Sequence, residues 1–356
     1  MYESFYGLKE LPFQITPDTR FFFGQGPHKK ALAYASYGLS KGEGFVVITG
    51  EVGAGKTTLV NYFLTRLINS KRRTAQIVSS KLEEDNLLRV VATEFGISCE
   101  ADDKANLLRK IQLFLQENEG RGSCGLLVVD EAQNLSASSL EELRMLSNFQ
   151  RNDGALLQIF LVGQPEFRDI LLQSNMEQLR QRVVASFHLG PLDQSQTREY
   201  IEHRLHMTGW ADDPKFHPFA FQEIYRASDG IPRRINLICD RLLVSGFLAE
   251  KHEIALDDVN EVVEEMHQEG LIADPDTPQT SPKVAEFQPT AAVAQQALAQ
   301  ASQVAEASVQ DGRIAETLSS IAQRLKQIDE QMREQERRLD QILTDGQLSV
   351  RNIGKG

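Results

Sequence analysis

The stretch GEVGAGKTT, residues 50–58, directly follows the apolar run at residues 45–49. It matches the pattern GxxxxGK(S/T), in which glycines let successive backbone N–H groups wrap around phosphate oxygens. That pattern carries meaning only when a strand precedes it and a helix follows it. Both are predicted here, because apolar residues recur at helical spacing over residues 59–67. The sequence therefore predicts a phosphate-binding loop between a strand and a helix.

Each residue of this loop is a candidate nucleotide-binding residue: Gly50, Glu51, Val52, Gly53, Ala54, Gly55, Lys56, Thr57 and Thr58. Lys56 is expected to reach the β and γ phosphates, and the Thr57 hydroxyl to help hold Mg²⁺. The helix that begins near Lys56 adds the positive end of its dipole. We therefore expect the loop to bind a nucleotide together with Mg²⁺.

A second segment supplies groups for hydrolysis. The apolar run at residues 126–129 ends in Asp130 and Glu131. Hydrolysis requires a carboxylate that holds the metal and a group that orients or deprotonates the attacking water. Asp130 is expected to hold Mg²⁺ through water, and Glu131 to act as the general base. One further strand, at residues 74–79, lies between the two segments in sequence, which favours the additional-strand class of P-loop ATPases over the kinase and GTPase class.

The order of apolar runs predicts two folded domains. Short β-rich runs alternate with helical patterns over residues 1–191, as is typical of an α/β sheet with crossover helices. From residue 192 to residue 268 the pattern is helical, which predicts a small all-α domain. The strand candidates are residues 44–49, 74–79, 125–129, 156–162 and 183–189.

The last part of the chain divides into three zones. Residues 269–312 contain four prolines and an Ala/Gln-rich stretch; they hold too few large apolar side chains to offset the entropy of ordering, so we expect a flexible linker. Residues 313–343 carry apolar side chains at strict 4-3 spacing interrupted by Gln335, which predicts a coiled coil. The alternative is an amphipathic helix docked on the body of the protein. Residues 344–356 are expected to form a disordered tail.

The charge and composition of the chain limit the classes of partner and the compartment that we expect for it. The formal net charge of −12 argues against a sequence-independent grip on DNA, so we do not expect nucleic acid as a partner. No apolar run approaches the roughly 20 residues that cross a bilayer, and no direct membrane span is expected. The cysteines are odd in number and form no CxxC pair, which fits a reducing compartment without structural zinc. We therefore expect a cytoplasmic protein.

Seven motifs occur along residues 1 to about 268. They are the opening Tyr2-x2-Phe5-Tyr6-Gly7-Leu8-x3-Pro12-Phe13, Thr16-Pro17-Asp18, the Gly50 loop, Asp130-Glu131-Ala132-Gln133, Leu161-Val162-Gly163-Gln164-Pro165-Glu166, Gln181-Arg182 and Gly230-Ile231-Pro232-Arg233-Arg234-Ile235-Asn236. In this order they resemble the ExeA-like AAA+ ATPases, the general secretion pathway protein A family. The resemblance implies a P-loop AAA+ fold, with a parallel sheet, flanking helices and a helical lid, here followed by the predicted coiled coil.

The resemblance also implies roles for residues outside the loop. Gln164 takes the place of the sensor 1 polar group near the γ-phosphate, although Asn or Thr is usual in AAA+ proteins. Arg182 or Arg180 would be the finger that reaches into a neighbouring subunit's site, which implies a homo-oligomer. Arg233 would be sensor 2, swung onto the γ-phosphate by the lid, with Arg234 as the alternative.

The implied function is Mg²⁺-dependent ATP hydrolysis coupled to the assembly or operation of a bacterial envelope secretion system. The amino-acid sequence of residues 21–24 and 43–45 most resembles that of the secretion ATPase of PEP-CTERM/exosortase loci. This resemblance implies exopolysaccharide export. It also implies partners in the envelope that could hold the protein at the inner membrane. The alternative from another class is a DNA-associated AAA+ ATPase of the transposition-helper or helicase-loader kind. A third is a scaffold that binds ATP and seldom turns it over, which the intact Glu131 argues against.

Overall fold

A computed structural model describes residues 1–67, 72–79, 86–99, 103–119, 124–151 and 154–272. The predicted coiled coil and tail lie outside these residues, as does the predicted linker from residue 273 onward. Those predictions therefore stay predictions.

Within these segments the strands are β1 (Phe45–Gly50), β2 (Thr74–Val78), β3 (Gly125–Asp130), β4 (Gln150–Arg151), β5 (Gly154–Ala155), β6 (Leu157–Gly163), β7 (Val183–Leu189), β8 (Lys215–Phe216) and β9 (Glu253–Ile254). The helices are α1 (Tyr2–Phe5), α2 (Gly26–Lys41), α3 (Lys56–Leu67), α4 (Leu87–Glu94), α5 (Lys104–Glu119), α6 (Ala137–Leu146), α7 (Glu166–Leu172), α8 (Glu177–Arg180), α9 (Gln194–Met207), α10 (Pro218–Ser228), α11 (Pro232–Leu248) and α12 (Leu256–Gln268). Short 3-10 helices lie at Thr19–Phe21, Ala132–Asn134 and Ser174–Met176.

The main sheet is parallel and has the order β2-β3-β6-β1-β7. The five predicted strands are all present, with bounds that differ from the expected ones by at most one residue. In space the strand between β1 and β3 is β6, whereas β2, which lies between them in sequence, forms the edge. Parallel strands end at the same edge of the sheet. The loop after β1 and the acids at the end of β3 therefore lie at one edge, with the end of β6 between them.

Helices cover both faces of this sheet, which explains why its central strands are buried at every position. Side chains alternate between the faces along β1. Phe45 and Val47 belong to a hydrophobic cluster with α4, α5, α6 and α7, while Val46 and Ile48 belong to a second cluster with α2 and α3. The P-loop α/β architecture predicted from sequence is confirmed.

A third hydrophobic cluster joins α9, α10, α11 and α12, and it includes the N-terminal residues Tyr2, Tyr6 and Phe13. The Tyr2 hydroxyl donates to Asp240 Oδ1 at 2.6 Å. The start of the chain thus packs on the helical domain, although the sequence pattern grouped it with the α/β domain. The helical domain also contains the parallel pair β8–β9, whose strands are too short to show a period in sequence. The boundary at residues 191 and 192 stays a prediction.

Within the helical domain, a glycine lets the segment before α11 approach the segment that leads from β7 into α9. Gly230 has a φ of 67°, and a Cβ built on it would lie 2.0 Å from the carbonyl oxygen of Leu192. The carbonyl oxygen of Gly230 accepts from the Leu192 N–H at 2.9 Å. The close approach of these two segments sets the position of the amino end of α11, which follows directly.

We expect Gly230→Ala to destabilise the protein more than Gly42→Ala does. Gly42 has a φ of 70° but open space around its Cβ position, so its replacement costs only the left-handed strain of about 1 kcal/mol. Replacement of Gly230 adds a clash with backbone, worth roughly 1 to 3 kcal/mol more. Urea unfolding of both variants measures the difference, and equal losses would contradict this account of the contact between Gly230 and Leu192.

Candidate active site

The loop between β1 and α3 depends on glycines. Gly53 has a φ of 85° and Gly55 a φ of 93°, a region of backbone space that favours glycine. A Cβ on Gly50 would lie 2.5 Å from the carbonyl oxygen of Leu189 on β7. The loop therefore adopts the tight turn at the end of a buried strand that its sequence predicts, with α3 beginning at Lys56.

Lys56 is buried beneath this loop, with 7% of its surface exposed. Its Nζ donates to the carbonyl oxygens of Gly50 at 2.7 Å and Glu51 at 2.9 Å. Burial lowers the pKa of Lys56, and the nearby charges of Glu131 and Asp130 oppose that shift. A buried ammonium whose direct partners are neutral carbonyls is suited to exchange them for an anionic ligand.

Thr57 and Asp130 meet beside the lysine. The Thr57 hydroxyl donates to Asp130 Oδ2 at 2.8 Å, and Asp130 Oδ1 accepts from the backbone N–H of Glu131 at 2.9 Å. Burial raises the pKa of Asp130, while these two hydrogen bonds oppose the shift. Hydroxyl and carboxylate oxygens are the protein ligands that Mg²⁺ prefers. The residues present therefore fit Mg²⁺.

Glu131 lies at the end of β3 in a left-handed conformation, with a φ of 56°. Its Oε2 accepts from the amide Nε2 of Gln133 at 2.5 Å and from that of Gln164 at 3.2 Å. The structure thus brings the predicted general base and the predicted sensor 1 residue together. Gln133 received no role from sequence reasoning; the only signal was its place in the quoted motif Asp130-Glu131-Ala132-Gln133.

The lid contacts the loop through the first turn of α11. The backbone N–H of Arg233 donates to the carbonyl oxygen of Gly53 at 3.1 Å. A Cβ built on Gly53 would lie 2.5 Å from Cβ of Arg233, so the two segments are in van der Waals contact. Arg233 lines the pocket above the loop. Arg234, the alternative for sensor 2, is instead paired with Asp229.

A pocket opens between the loop, the lid and the N-terminal segment. Phe22 stacks on Tyr62 of α3 with ring centroids 4.1 Å apart, and the guanidinium of Arg204 lies 4.9 Å from the ring centroid of Phe21. Arg204 donates to the Pro12 carbonyl oxygen at 2.6 Å, which ties the N-terminal segment to the lid. The lining residues are Gln14, Ile15, Thr16, Pro17, Asp18, Phe21, Phe22, Phe23, His28, Val52, Gly53, Gly55, Lys56, Thr57, Thr58, Glu131, Tyr200, Arg204, Pro232, Arg233 and Asn236.

The two candidate finger arginines are not part of this pocket. Arg180 donates to the Leu171 carbonyl oxygen at 2.9 Å, and Arg182 donates to Ser147 Oγ at 3.4 Å. Arg182 immediately precedes β7, whose first residue pairs with the first residue of β1. Both arginines therefore lie toward the amino-terminal edge of the sheet, opposite the edge that carries the loop.

His28, which sequence reasoning missed, supports the loop from below. Its Nε2 lies 3.1 Å from the carbonyl oxygen of Ala54. Because a carbonyl only accepts, Nε2 carries the proton, and the buried Nδ1 has no hydrogen-bond partner in the described part of the chain. Burial lowers the pKa of His28 to about 4. No motif pointed to this residue, because its contact with the loop arises only when α2 packs beside it.

The low pKa of His28 predicts a loss of stability in mild acid. Its ordinary pKa is 6.5 and its folded pKa is about 4, so the unfolded chain binds the proton first as the pH falls through this window. Relative to His28→Gln, whose amide can still donate to Ala54, the wild type should lose roughly 2 to 3 kcal/mol of unfolding free energy between pH 7.5 and 4.5. Urea titrations of both, with exposed His206→Gln as the control, measure this. Parallel curves for wild type and His28→Gln would contradict it.

Comparison with known proteins agrees with this geometry. Residues 39–171 match a family model described as an AAA domain. General secretion pathway protein A of Aeromonas hydrophila is 40% identical over 261 residues, which cover 73% of this chain and 47% of that relative. The DNA transposition protein B of a Mu-like prophage of Haemophilus influenzae is 36% identical over 99 residues, which cover 28% of this chain and 32% of that relative. The chain thus spans less than half the length of the curated relatives that it matches.

Among solved structures, the ORC2 protein of Aeropyrum pernix, in its ADPNP–ADP complexes, superposes with a TM-score of 0.53 at 17% identity. The superposition covers 72% of this chain and 75% of that one, and at this identity it speaks for the fold alone. The fold, the loop and the AAA domain define an ATPase of the P-loop AAA+ class. The identity to general secretion pathway protein A further supports an ExeA-like AAA ATPase.

No helix among the described residues is both long and apolar enough to pass through a bilayer. Those residues also contain no group of three or more His, Cys, Asp or Glu side chains placed to hold a metal ion by themselves. A magnesium ion at Thr57 and Asp130 would therefore take its remaining ligands from the nucleotide and water.

Proposed function

We propose that this ATPase couples Mg²⁺-dependent ATP hydrolysis to the assembly or operation of a bacterial envelope secretion system. The observation that supports it most is the 40% identity to general secretion pathway protein A over 261 residues, which make up 73% of this chain. The proteins that couple to the ATP state would be components of that system, and a homo-oligomer would be the working form.

The loop would bind the phosphates. Its backbone N–H groups and the amino end of α3 present positive charge, and Lys56 would leave the carbonyls of Gly50 and Glu51 for the β and γ phosphates. The base and ribose would lie in the pocket that Phe22 and the N-terminal segment line. The lid would complete the site, because Arg233 already contacts Gly53 through its backbone.

Hydrolysis would proceed by attack of water in line with the γ-phosphate. Thr57 and Asp130 would hold Mg²⁺, which neutralises charge on the β and γ oxygens. Glu131 would accept the proton of the water, and Gln164 would lie beside the transferring group. Arg233 would place its guanidinium near the charge that develops there, since a planar fork suits phosphate oxygens. In an oligomer, Arg180 or Arg182 would serve the site of a neighbouring subunit.

Substitutions in the loop and at the general base should affect ATP binding and ATP turnover separately. Lys56→Ala is expected to abolish binding of a non-hydrolysable ATP analogue, because the phosphates lose their buried cation. Glu131→Gln should keep binding within about threefold and lower kcat by at least a hundredfold. Titration calorimetry and a steady-state phosphate-release assay measure both effects. Unchanged analogue affinity in Lys56→Ala would refute the assignment of the loop.

The adjacent lid arginines Arg233 and Arg234 allow a direct comparison, because only Arg233 lines the pocket. Arg233→Ala should lower kcat at least tenfold, because its side chain faces the pocket. Arg234→Ala should change kcat less than twofold, because Arg234 is engaged with Asp229 on a partly exposed surface. The same phosphate-release assay compares them. A larger loss for Arg234→Ala would reverse the sensor 2 assignment.

A second candidate function is a DNA-associated ATPase, and the match to the prophage transposition protein favours it. The formal charge of −12 weighs against it. Turnover measured with and without duplex DNA at low salt distinguishes the two candidates. Stimulation by DNA, together with DNA binding in the presence of ATP, would support the second candidate and overturn the first.

The secretion ATPase would be of the type found at PEP-CTERM/exosortase loci, with exopolysaccharide as the exported material. The amino-acid sequence of residues 21–24 and 43–45 supports this type. The heptads of residues 313–343 support a coiled coil that strengthens the oligomer. Envelope partners would then bring a cytoplasmic protein to the inner membrane.

A further inference from the structure

Gln133 holds two parts of the active site at once. Its Nε2 donates to Glu131 Oε2 at 2.5 Å, and its Oε1 accepts from the backbone N–H of Gln164 at 2.9 Å. An amide N–H can only donate and a carboxylate at neutral pH only accepts, so these two partners together determine which end of the side-chain amide faces which way. Gln133 therefore links the end of β3 to the end of β6.

The surroundings fix this amide further. Gly163, the last residue of β6, has no side chain, and a Cβ built on it would lie 2.9 Å from Gln133 Oε1. The space that the missing side chain leaves is where the amide oxygen lies. Gln133 itself sits in the short 3-10 helix Ala132–Asn134, directly after the left-handed backbone of Glu131. That turn brings the amide back toward the carboxylate two residues earlier.

The consequence concerns the freedom of Glu131. A glutamate side chain has three rotatable bonds, and a general base must lie within hydrogen-bond reach of one water. The amides of Gln133 and Gln164 both bind the same oxygen, Oε2. The carboxylate is thereby oriented, and within the described part of the chain no hydrogen bond engages its second oxygen, Oε1, which could then accept a proton.

We propose that Gln133 is a positioning residue for hydrolysis: it orients the Glu131 carboxylate and couples that orientation to Gln164. This rests on the proposed function, in which Glu131 is the general base. Gln133 is not among the residues that line the pocket above the loop. Its loss should therefore reduce the rate of the chemical step and leave ATP binding, which depends on Lys56 and the loop, nearly unchanged.

The first test replaces the amide with an apolar side chain of similar length. In the full-length chain, Gln133→Met should lower kcat at least tenfold, with KM for ATP and the affinity for a non-hydrolysable analogue within about twofold of wild type. Gln222→Met, on the exposed surface of α10, is the matched control and should keep the wild-type kcat. A kcat within twofold of wild type in Gln133→Met, or an increase, would overturn the proposal.

The second test uses pH and remains informative if the apolar variant folds poorly. Gln133→Glu keeps the length of the side chain and an acceptor for the Gln164 N–H, but it removes the donor to Glu131 when the new carboxyl is ionised. The proximity of Glu131 should raise the pKa of that new carboxyl. Its protonated form can donate again, so kcat of the variant relative to wild type should rise several-fold from pH 8 to pH 6. A kcat that stays close to the wild-type value over this whole range would overturn the proposal.

Two reference measurements separate this inference from the proposed function. If wild type shows no ATP turnover, or if Glu131→Gln turns over as fast as wild type, then Glu131 is not the base and both fail. If those references behave as expected while Gln133→Met matches wild type, only the role of Gln133 fails.

Discussion

The hydrogen bond from Thr57 Oγ1 to Asp130 Oδ2 is the contact on which the site depends. It joins the first turn of α3, the helix that follows β1, to the end of β3. The strands β1 and β3 are not neighbours in the sheet, because β6 lies between them. A parallel sheet alone brings the strand ends to one edge; this bond brings the hydroxyl and the carboxylate within reach of one ion. The buried Lys56 lies beside them, so an ammonium, a hydroxyl and a carboxylate come together at this edge of the sheet.

Around this site the helical lid packs against the loop and the N-terminal segment. The lid has its own hydrophobic cluster, and the start of the chain belongs to that cluster. Arg204 reaches from α9 to the Pro12 carbonyl oxygen, and Arg233 reaches from α11 to the Gly53 carbonyl oxygen through its backbone N–H. A nucleotide in the pocket would therefore contact both the sheet domain and the lid.

Much of this could be predicted from sequence, because periodic apolar runs and a glycine loop are local signals. The strands at residues 45–50 and 125–130 follow from such runs, and the loop and acids follow from their positions at the strand ends. The parts that could not be predicted arise from packing between distant segments. His28 meets Ala54 only when α2 lies beside the loop, and Gln133 meets Gln164 only because β6 lies next to β3. No spacing in the chain encodes either contact.

A nucleotide bound between the loop and the lid would protect both segments from amide exchange, which hydrogen–deuterium exchange of the full-length chain measures. With Mg²⁺ and a non-hydrolysable ATP analogue, amide exchange should slow in residues 50–58 and also in residues 230–236 and 14–23, while Lys56→Ala should show none of these changes. Slowing confined to residues 50–58, with the lid and the N-terminal segment unaffected, would contradict the account.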